Sequence, residues 1–203
     1  MATSRGGADE STGPLRFKWF HQMLGVFPVG RLIDLGSGHG EFSRAAAGAG
    51  WTVTALDARG DRYGTRDPGI DWQIGDVRDV DLSGFDVIAC LGLFYHLTVE
   101  DQLSLLARAQ GTPIILDTHV ANNRPVPMES KLSEPVTLHG YVGRLYTEPD
   151  QATNSPASWG NDQSFWPRTR DLYKMLDAHG YDVLTATPWY LPSRTFFLCL
   201  PQR

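Results

Sequence analysis

The fold is decided by residues Leu32–Ser43, which read LIDLGSGHGEFS. An apolar strand, a glycine turn and the start of a helix follow one another within this short stretch. Glycine at every second position allows turn conformations that are closed to other residues, and it lets a ligand approach the backbone without meeting a Cβ atom. The free N–H groups of the following helix point back at such a ligand. The stretch therefore predicts a nucleotide-type ligand site at the end of a strand.

The spacing of the glycines separates two kinds of nucleotide site. A dinucleotide-binding loop reads G-x-G-x-x-G and needs a third glycine at position 41, where this chain has Glu41. The pattern D-x-G-x-G-x-G, which begins at Asp34, instead resembles motif I of the class I S-adenosylmethionine (SAM) methyltransferases. The resemblance implies that Asp34 helps to hold the amino-acid end of SAM. It also implies that the cofactor lies over Gly36, Ser37, Gly38 and Gly40.

Three later segments are similar to the same family and follow in the expected order. Asp57 ends an apolar run 23 positions after Asp34, where a carboxylate can accept hydrogen bonds from both ribose hydroxyls. Asp76 follows a short third strand, and the resemblance implies a contact with the adenine amino group. The run at 85–97, which ends in Tyr-His-Leu, looks like motif IV. The resemblance thus adds to the cofactor site Asp57, Ala58, Asp76, Val77 and Leu91.

The rhythm of strands and helices predicts an α/β fold. Apolar runs at 52–57, 113–118, 183–186 and 195–200 alternate with helical patterns at 41–49, 99–110 and 170–179, and an amphipathic helix at 15–24 precedes the first strand. We expect one Rossmann-like domain over residues 15–203, after a flexible leader at 1–14. The resemblance implies a mostly parallel seven-stranded sheet with an antiparallel last strand and helices on both faces.

The composition is that of an ordinary globular chain. Its 203 residues are 41% hydrophobic and 20% charged, which is enough for a sizeable core in one domain. No apolar run reaches the roughly 18 residues of a membrane span, and no secretory signal is evident, so we expect a cytoplasmic protein. The net charge of −5 disfavours a nucleic-acid surface. Cys90 and Cys199 lie in apolar runs and are expected to be buried free thiols.

Residues 119–167 form an unusually long segment without clear secondary-structure periodicity. About 50 residues with six prolines and little helical or strand periodicity are too long for an ordinary connection. The segment follows the fifth strand, at the carboxyl edge of the sheet where ligands of open α/β domains bind. We expect it to cover the substrate, the alternative being disorder. The residues predicted to contact the substrate are Tyr95, His139, Tyr146, Trp159 and Trp166.

Three side chains could supply a base for the reaction. An alcohol acceptor must lose its proton in the transition state, or a metal must acidify it beforehand. Asp117 and His119 point to the same side of the fifth strand, so they could act as base and orienting group or as two metal ligands. His96, after the fourth strand, is a third candidate. A divalent ion such as Mg²⁺ would be held by Asp117, Glu148 and Asp162.

The motifs favour a methyl transfer from SAM to a hydroxyl of a small polar acceptor. The segments at 143–146, 158–162 and 164–167 resemble small bacterial sugar methyltransferases, including actinobacterial oligomannoside O-methyltransferases, and so favour a saccharide. Two alternatives remain. One is a methyltransferase of the tRNA wobble uridine or another nucleic acid, and the other is a SAM-binding protein without methyl transfer. The sequence leaves the oligomeric state open, with a homodimer as one option.

Overall fold

The protein is described by a computed structural model over residues 13–122, 131–150, 158–188 and 194–203. Residues 1–12 of the expected leader, which was predicted over 1–14, lie outside these ranges. The first helix begins at Gly13, two residues earlier than predicted.

In chain order the helices are α1 (Gly13–Leu24), α2 (Glu41–Gly48), α3 (Val99–Arg108) and α4 (Thr169–Ala178). The strands are β1 (Arg31–Leu35), β2 (Thr52–Asp57), β3 (Ile70–Ile74), β4 (Val87–Leu91), β5 (Ile114–His119), β6 (Leu132–Leu138), β7 (Tyr141–Thr147), β8 (Gln163–Pro167), β9 (Tyr181–Ala186) and β10 (Arg194–Pro201).

The main sheet has seven strands in the order β3-β2-β1-β4-β5-β10-β9. Strands β1 to β5 are parallel, and β10 runs antiparallel to both β5 and β9. Strand β4, with the sequence VIACL, is buried along its whole length because helices cover both faces of the sheet. The predicted Rossmann-like sheet with one antiparallel strand is therefore confirmed.

Two apolar clusters fill the space between the sheet and its helices. Alternate residues of β1 point to opposite sides, so Ile33 packs with α3 and α4 while Leu32 packs with α1 and α2. In α1 the side chain of Phe20 is fully buried, and the ring of Phe17 lies 4.6 Å from that of Phe42. Helix α1 thus packs against the domain. No helix of the described ranges is long and apolar enough to span a bilayer.

The segment expected to lack strand periodicity contains a second sheet. Strands β6, β7 and β8 form an antiparallel sheet within 119–167. The β6–β7 turn uses His139 and Gly140, both with positive φ, in place of the usual Asn-Gly signal. Pro135 and Gly143 interrupt the alternation that would have revealed these strands. A Cβ atom at Gly143 would come within 2.5 Å of the carbonyl of Trp166, so glycine is needed for this close pairing.

The side chain of Gln102 fastens the second sheet to the main domain. Its Nε2 donates to the carbonyls of Phe94 at 2.9 Å and Phe165 at 2.6 Å, so helix α3 holds strand β8. Gln102 is fully buried. Phe94 and Phe165, which carry these carbonyls, are buried, so the carbonyls depend on hydrogen-bond donors within the protein.

We expect Gln102→Ala to lower the free energy of unfolding by about 1–3 kcal/mol, because the buried carbonyl of Phe165 loses this donor, while the carbonyl of Phe94 keeps the N–H of Leu97. Urea denaturation measures this change. Ser104→Ala, an exposed position on the same helix, is the control and should be neutral. Equal stability of the two variants would mean that Gln102 does not fasten the second sheet.

Candidate functional site

The glycine loop after β1 is fixed by the carboxylate at the end of β2. Gly36, Gly38 and Gly40 have φ values of 65°, 56° and 76°, a region that glycine enters without strain. The N–H of Gly38 donates to Asp57 Oδ2 at 2.8 Å, and the N–H of Arg59 donates to Asp57 Oδ1 at 2.9 Å. Both carboxylate oxygens thus hold backbone. The loop and the end of β2 form one rigid edge.

A pocket opens at this edge, between the carboxyl ends of the parallel strands. Eight residues predicted for the site line it, namely Gly36, Asp57, Ala58, Asp76, Val77, Tyr95, His96 and Trp159. The pocket also has walls that the motifs do not indicate, among them Arg59, Arg62, Arg78, Leu93, Leu97 and Ser158. The arginines follow the two acidic positions by two to five residues, which is a local signal that could have been read.

Other residues predicted to bind the cofactor support the loop from behind. Asp34 is only 2% exposed and accepts a hydrogen bond from Ser43 Oγ at 2.6 Å. Its burial raises its pKa to about 7, although the Ser43 hydrogen bond opposes this change. The N–H of Ser37 donates to the carbonyl of Leu56, and the carbonyl of Leu91 accepts from Arg16. Within the described ranges, the residues of this set that do not line the pocket are Asp34, Ser37, Gly38, Gly40 and Leu91.

Arg62 presents unused donors beside the pocket. Its Nε and Nη2 are buried and have no hydrogen-bond partner in the described part of the chain. Its Nη1 lies 3.9 Å from Asp57 Oδ2. Burial lowers the pKa of the Arg62 guanidinium. Unpaired buried donors are costly, so this part of the pocket suits a ligand that carries hydrogen-bond acceptors.

Asp76, on the opposite wall, is paired with Arg78. Its Oδ1 accepts from the backbone N–H of Arg78 at 2.9 Å and from Nε at 2.8 Å. These hydrogen bonds hold the pKa of Asp76 below its ordinary value. The carboxylate therefore stays ionised and in a fixed orientation at the pocket edge.

Asp117 is occupied by two arginines. It is fully buried, its Oδ1 accepts from Arg194 Nε at 2.7 Å, and its Oδ2 accepts from Arg194 Nη2 and Arg16 Nε, both at 2.8 Å. Burial alone would raise the pKa of Asp117, but the charges of Arg194 and Arg16 hold it below its ordinary value. A carboxylate so paired is a poor proton acceptor. The expected role of Asp117 as base or metal ligand therefore gives way to a structural one.

His119 is also a poor base. Burial and the nearby charge of Arg194 lower its pKa to about 3, so the ring is neutral at physiological pH. The ring stacks on Trp166 at 4.8 Å, and Arg194 Nη1 lies 3.3 Å from its Nε2. Among the described residues, neither His119 nor Asp117 lines the pocket. The prediction that Asp117 and His119 act together as a catalytic pair is therefore corrected, because both are poor bases and neither lines the pocket.

His96 does line the pocket, and it has a buried partner that the motifs do not indicate. Its Nδ1 lies 3.0 Å from Oε1 of Glu148, whose side chain is 1% exposed. Glu148 also accepts from Ser164 Oγ at 2.6 Å and from the N–H of Ser158 at 3.1 Å. The ring of Tyr95 packs 4.2 Å from the His96 ring. This arrangement fixes the imidazole and directs its other nitrogen, Nε2, away from Glu148.

The aromatic residues expected to contact substrate divide into separate groups. Tyr146 and Trp166 stack 5.0 Å apart and are 6% and 1% exposed, so they form a buried platform behind Tyr95. Trp159 is half exposed and lies by the acidic ends of β2 and β3. His139 stands at the β6–β7 turn, with Nε2 2.8 Å from Glu100 of α3. The expected role of His139 at the acceptor is therefore corrected.

The expected carboxylate set for a metal ion does not come together. Asp117 is held by arginines, Glu148 by His96 and Ser158, and the carbonyl of Asp162 accepts from the N–H of Glu148 while its side chain is exposed. Across 13–122, 131–150, 158–188 and 194–203, no group of three or more His, Cys, Asp or Glu is arranged to hold a metal ion. These three residues do not form the predicted magnesium site.

Comparison with known proteins gives one family match and many structural neighbours. Residues 33–111, which build most of the pocket, match the family model described as a methyltransferase domain. None of the curated proteins matches the chain. Solved structures resemble it over nearly its full length at low sequence identity, and such a likeness bears on the fold.

Three of these structures illustrate the likeness. The N-terminal domain of EvdMO1, crystallised in the presence of SAH and D-fucose, is 21% identical with a TM-score of 0.71, covering 97% of this chain and 85% of that chain. CalS10, an amino pentose methyltransferase from Micromonospora echinaspora, is 18% identical with a TM-score of 0.62, covering 96% and 92%. The 1,6-didemethyltoxoflavin-N1-methyltransferase of Burkholderia thailandensis is 15% identical with a TM-score of 0.63, covering 97% and 80%.

The family match and the fold agree with the D-x-G-x-G-x-G loop and the ordered acidic strand ends. The match spans β1 to the end of α3, which is the half of the sheet that carries the pocket. Residues 33–111 thus match a methyltransferase domain, and the chain as a whole has the fold of solved SAM-dependent methyltransferases.

Proposed function

We propose that the protein is a SAM-dependent methyltransferase that moves the methyl group of SAM to a hydroxyl of a small polar acceptor, with a saccharide as the favoured class. The observation that carries the proposal is the His96–Glu148 pair at the pocket wall, because an alcohol acceptor needs a base within reach. A buried carboxylate on one ring nitrogen fixes the tautomer and leaves the other nitrogen to take a proton.

The residues of the pocket fit SAM. Asp57 stands where ribose hydroxyls can donate, while the aliphatic side chains of Val77 and Leu97 offer apolar walls for an adenine ring. The unpaired N–H groups of Arg62 suit the acceptor atoms of a nucleoside. The glycine loop lies at the same edge of the sheet, and because its glycines lack side chains, a ligand can approach the backbone closely. When bound, SAM supplies an electrophilic methyl group on a sulfonium.

The chain's own residues then position the acceptor and accept its proton. Most of the rate of a methyl transfer comes from aligning the nucleophile with the methyl group. Tyr95 and the His96 ring, 4.2 Å apart, form a polar and aromatic wall suited to a sugar. His96 Nε2 takes the hydroxyl proton as the carbon–oxygen bond forms, and Glu148 stabilises the charged ring.

The structural neighbours support a sugar acceptor but also include N-methyltransferases. EvdMO1 was crystallised in the presence of D-fucose, and CalS10 acts on an amino pentose, whereas other neighbours methylate nitrogen of a glycopeptide or of a toxoflavin precursor. A hydroxyl needs the base in the transition state more than a neutral amine does, since the lone pair of a neutral amine can attack before the nitrogen loses a proton. The buried His96–Glu148 pair therefore favours oxygen.

The function is tested by incubating the protein with methyl-labelled SAM and a panel of neutral sugars, amino sugars, phenols and tRNA. We expect label to enter a neutral sugar, at rates that change little with salt. Transfer to tRNA with a steep salt dependence would instead indicate the nucleic-acid alternative. Transfer only to amino sugars would assign N-methylation, and SAM binding without any transfer would indicate a binding protein.

His96→Ala should lower kcat by about 10²–10⁴ while leaving SAH affinity unchanged, because the base acts on the acceptor alone. Glu148→Gln should lower kcat less, since it keeps a hydrogen bond but loses the charge. The matched control is His139→Ala, which removes another histidine paired with a glutamate, at an exposed turn away from the pocket. Normal rates for both His96→Ala and Glu148→Gln would remove the base from the proposal.

The pKa of Asp34, near 7, predicts how affinity depends on pH. Asp34 lies behind the glycine loop and not at the pocket wall, but its carboxylate would still attract the cationic amino group of an SAH molecule on that loop, so below about pH 7 binding must first release a proton. We expect the SAH Kd measured by calorimetry to fall up to about tenfold per pH unit from 5.5 to 7 and then to level off. Asp34→Asn should bind weakly with a flat profile. The same profile in both proteins would show that Asp34 does not meet the amino group.

A further inference from the structure

Residues 158–162, here called the bridging segment, touch the cofactor side of the pocket. The carbonyl of Ser158 accepts from Arg59 Nη2 at 3.1 Å, and the carbonyl of Trp159 accepts from Arg78 Nη2 at 3.4 Å. Arg59 and Arg78 follow the acidic residues at the ends of β2 and β3. The bridging segment is thus held by the two loops that form the proposed adenosine site.

Trp159 faces this site with much of its surface uncovered. Its indole lies against the Arg59 guanidinium, 5.4 Å from ring centroid to Cζ, and it lines the pocket. Half of its surface is nevertheless exposed. An exposed indole at the mouth of a pocket is a stacking surface for a flat aromatic ligand. Adenine is the flat group that the proposed cofactor would present there.

The same segment also holds the proposed base. The N–H of Ser158 donates to Glu148 Oε2 at 3.1 Å, and Asn161 Nδ2 donates to the carbonyl of His96 at 3.2 Å. The carbonyl of Asp162 accepts from the N–H of Glu148 at 2.9 Å. Both members of the His96–Glu148 pair are therefore hydrogen-bonded to the bridging segment.

We propose that Trp159 forms the outer wall of the adenine site and that the bridging segment links cofactor occupancy to the position of the His96–Glu148 pair. This inference rests on the proposed function. Trp159 is then a cofactor-binding residue, which revises its expected contact with the acceptor. Ser158 and Asn161 are positioning residues that act through the pair.

The proposed link between the cofactor side of the pocket and the His96–Glu148 pair passes through a single residue, Ser158. In Ser158 the carbonyl is held from the cofactor side and the N–H is bonded to Glu148, so one residue joins the two sites. A displacement of about 1 Å at a catalytic group can cost about 10²-fold in rate. Gly160 sets the approach of the segment to the pocket wall, because a Cβ atom there would lie 2.7 Å from Arg78 Nη2 and its φ is 78°.

The first arm of the test measures SAH affinity by calorimetry, which needs no acceptor. Trp159→Ala should weaken binding roughly tenfold through lost stacking, and Trp159→Phe should retain most of the affinity. Tyr173→Ala, which removes a partly exposed aromatic residue from α4, is the control and should not change it. Unchanged affinity in Trp159→Ala overturns the adenine wall.

The second arm follows the NMR signals of the His96 ring, assigned by their loss in His96→Ala. Adding SAH should shift these signals in the unaltered protein and much less in Gly160→Ala. Asn161→Ala is a second variant in case Gly160→Ala does not fold. An absent shift in the unaltered protein, or equal shifts in all folded variants, overturns the link.

The third arm separates kcat from KM at saturating SAM. Gly160→Ala should lower kcat about tenfold with little change in the KM of the acceptor, because the base is displaced while the acceptor still binds. An unchanged kcat in a folded Gly160→Ala protein also overturns the link. If the enzyme binds SAH but transfers no methyl group, the proposed function fails, and the first two arms still decide this inference.

Discussion

The buried carboxylate of Asp117 joins the two ends of the chain to the centre of the sheet. Arg16 comes from the first helix and Arg194 from the last strand, and both guanidinium groups meet on this one side chain of β5. Removing Asp117 would leave the buried Arg194 guanidinium without its counter-charge, which is far more costly than the net worth of the pair. The cluster also explains the chemistry of the site, because a carboxylate held by two cations cannot serve as a base. The proposed function therefore assigns proton transfer to His96, which follows the neighbouring strand β4 and lines the pocket.

The features that could be predicted from the sequence are those whose signal is local. The strand, turn and helix of the glycine loop lie within a dozen residues, and each acidic strand end directly follows its apolar run. A Rossmann-like order of strands follows from such a rhythm because parallel strands need helical crossovers. For this reason the sequence predicts Asp57 and Asp76 at the ligand site, and both line the pocket.

The features that could not be predicted depend on partners far apart in the chain. Glu148 meets His96 across 52 positions, and Arg16 meets Asp117 across 101, with no periodic pattern to connect them. Strand alternation predicts that Asp117 and His119 share a side of β5, but their burial and the approach of Arg194 decide what they do. The second sheet could not be predicted, because Pro135 and Gly143 interrupt the polar–apolar alternation of its strands. Its turn, His139-Gly140, also lacks the usual Asn-Gly signal.

The second sheet is joined to the domain by several contacts, among them the amide of Gln102 and the N–H of Phe165, which donates to the carbonyl of Leu97. Its strands and loops reach both halves of the pocket. Glu148 follows β7, and residues 158–162 precede β8. Many folds allow an inserted subdomain to be exchanged between relatives, so that selectivity changes while the catalytic frame is kept. In this chain, exchange of the second sheet would remove Glu148, the partner of His96. It would also remove Trp159, which lies against Arg59. Under the proposed function, acceptor preference, proton transfer and cofactor affinity would therefore have to evolve together.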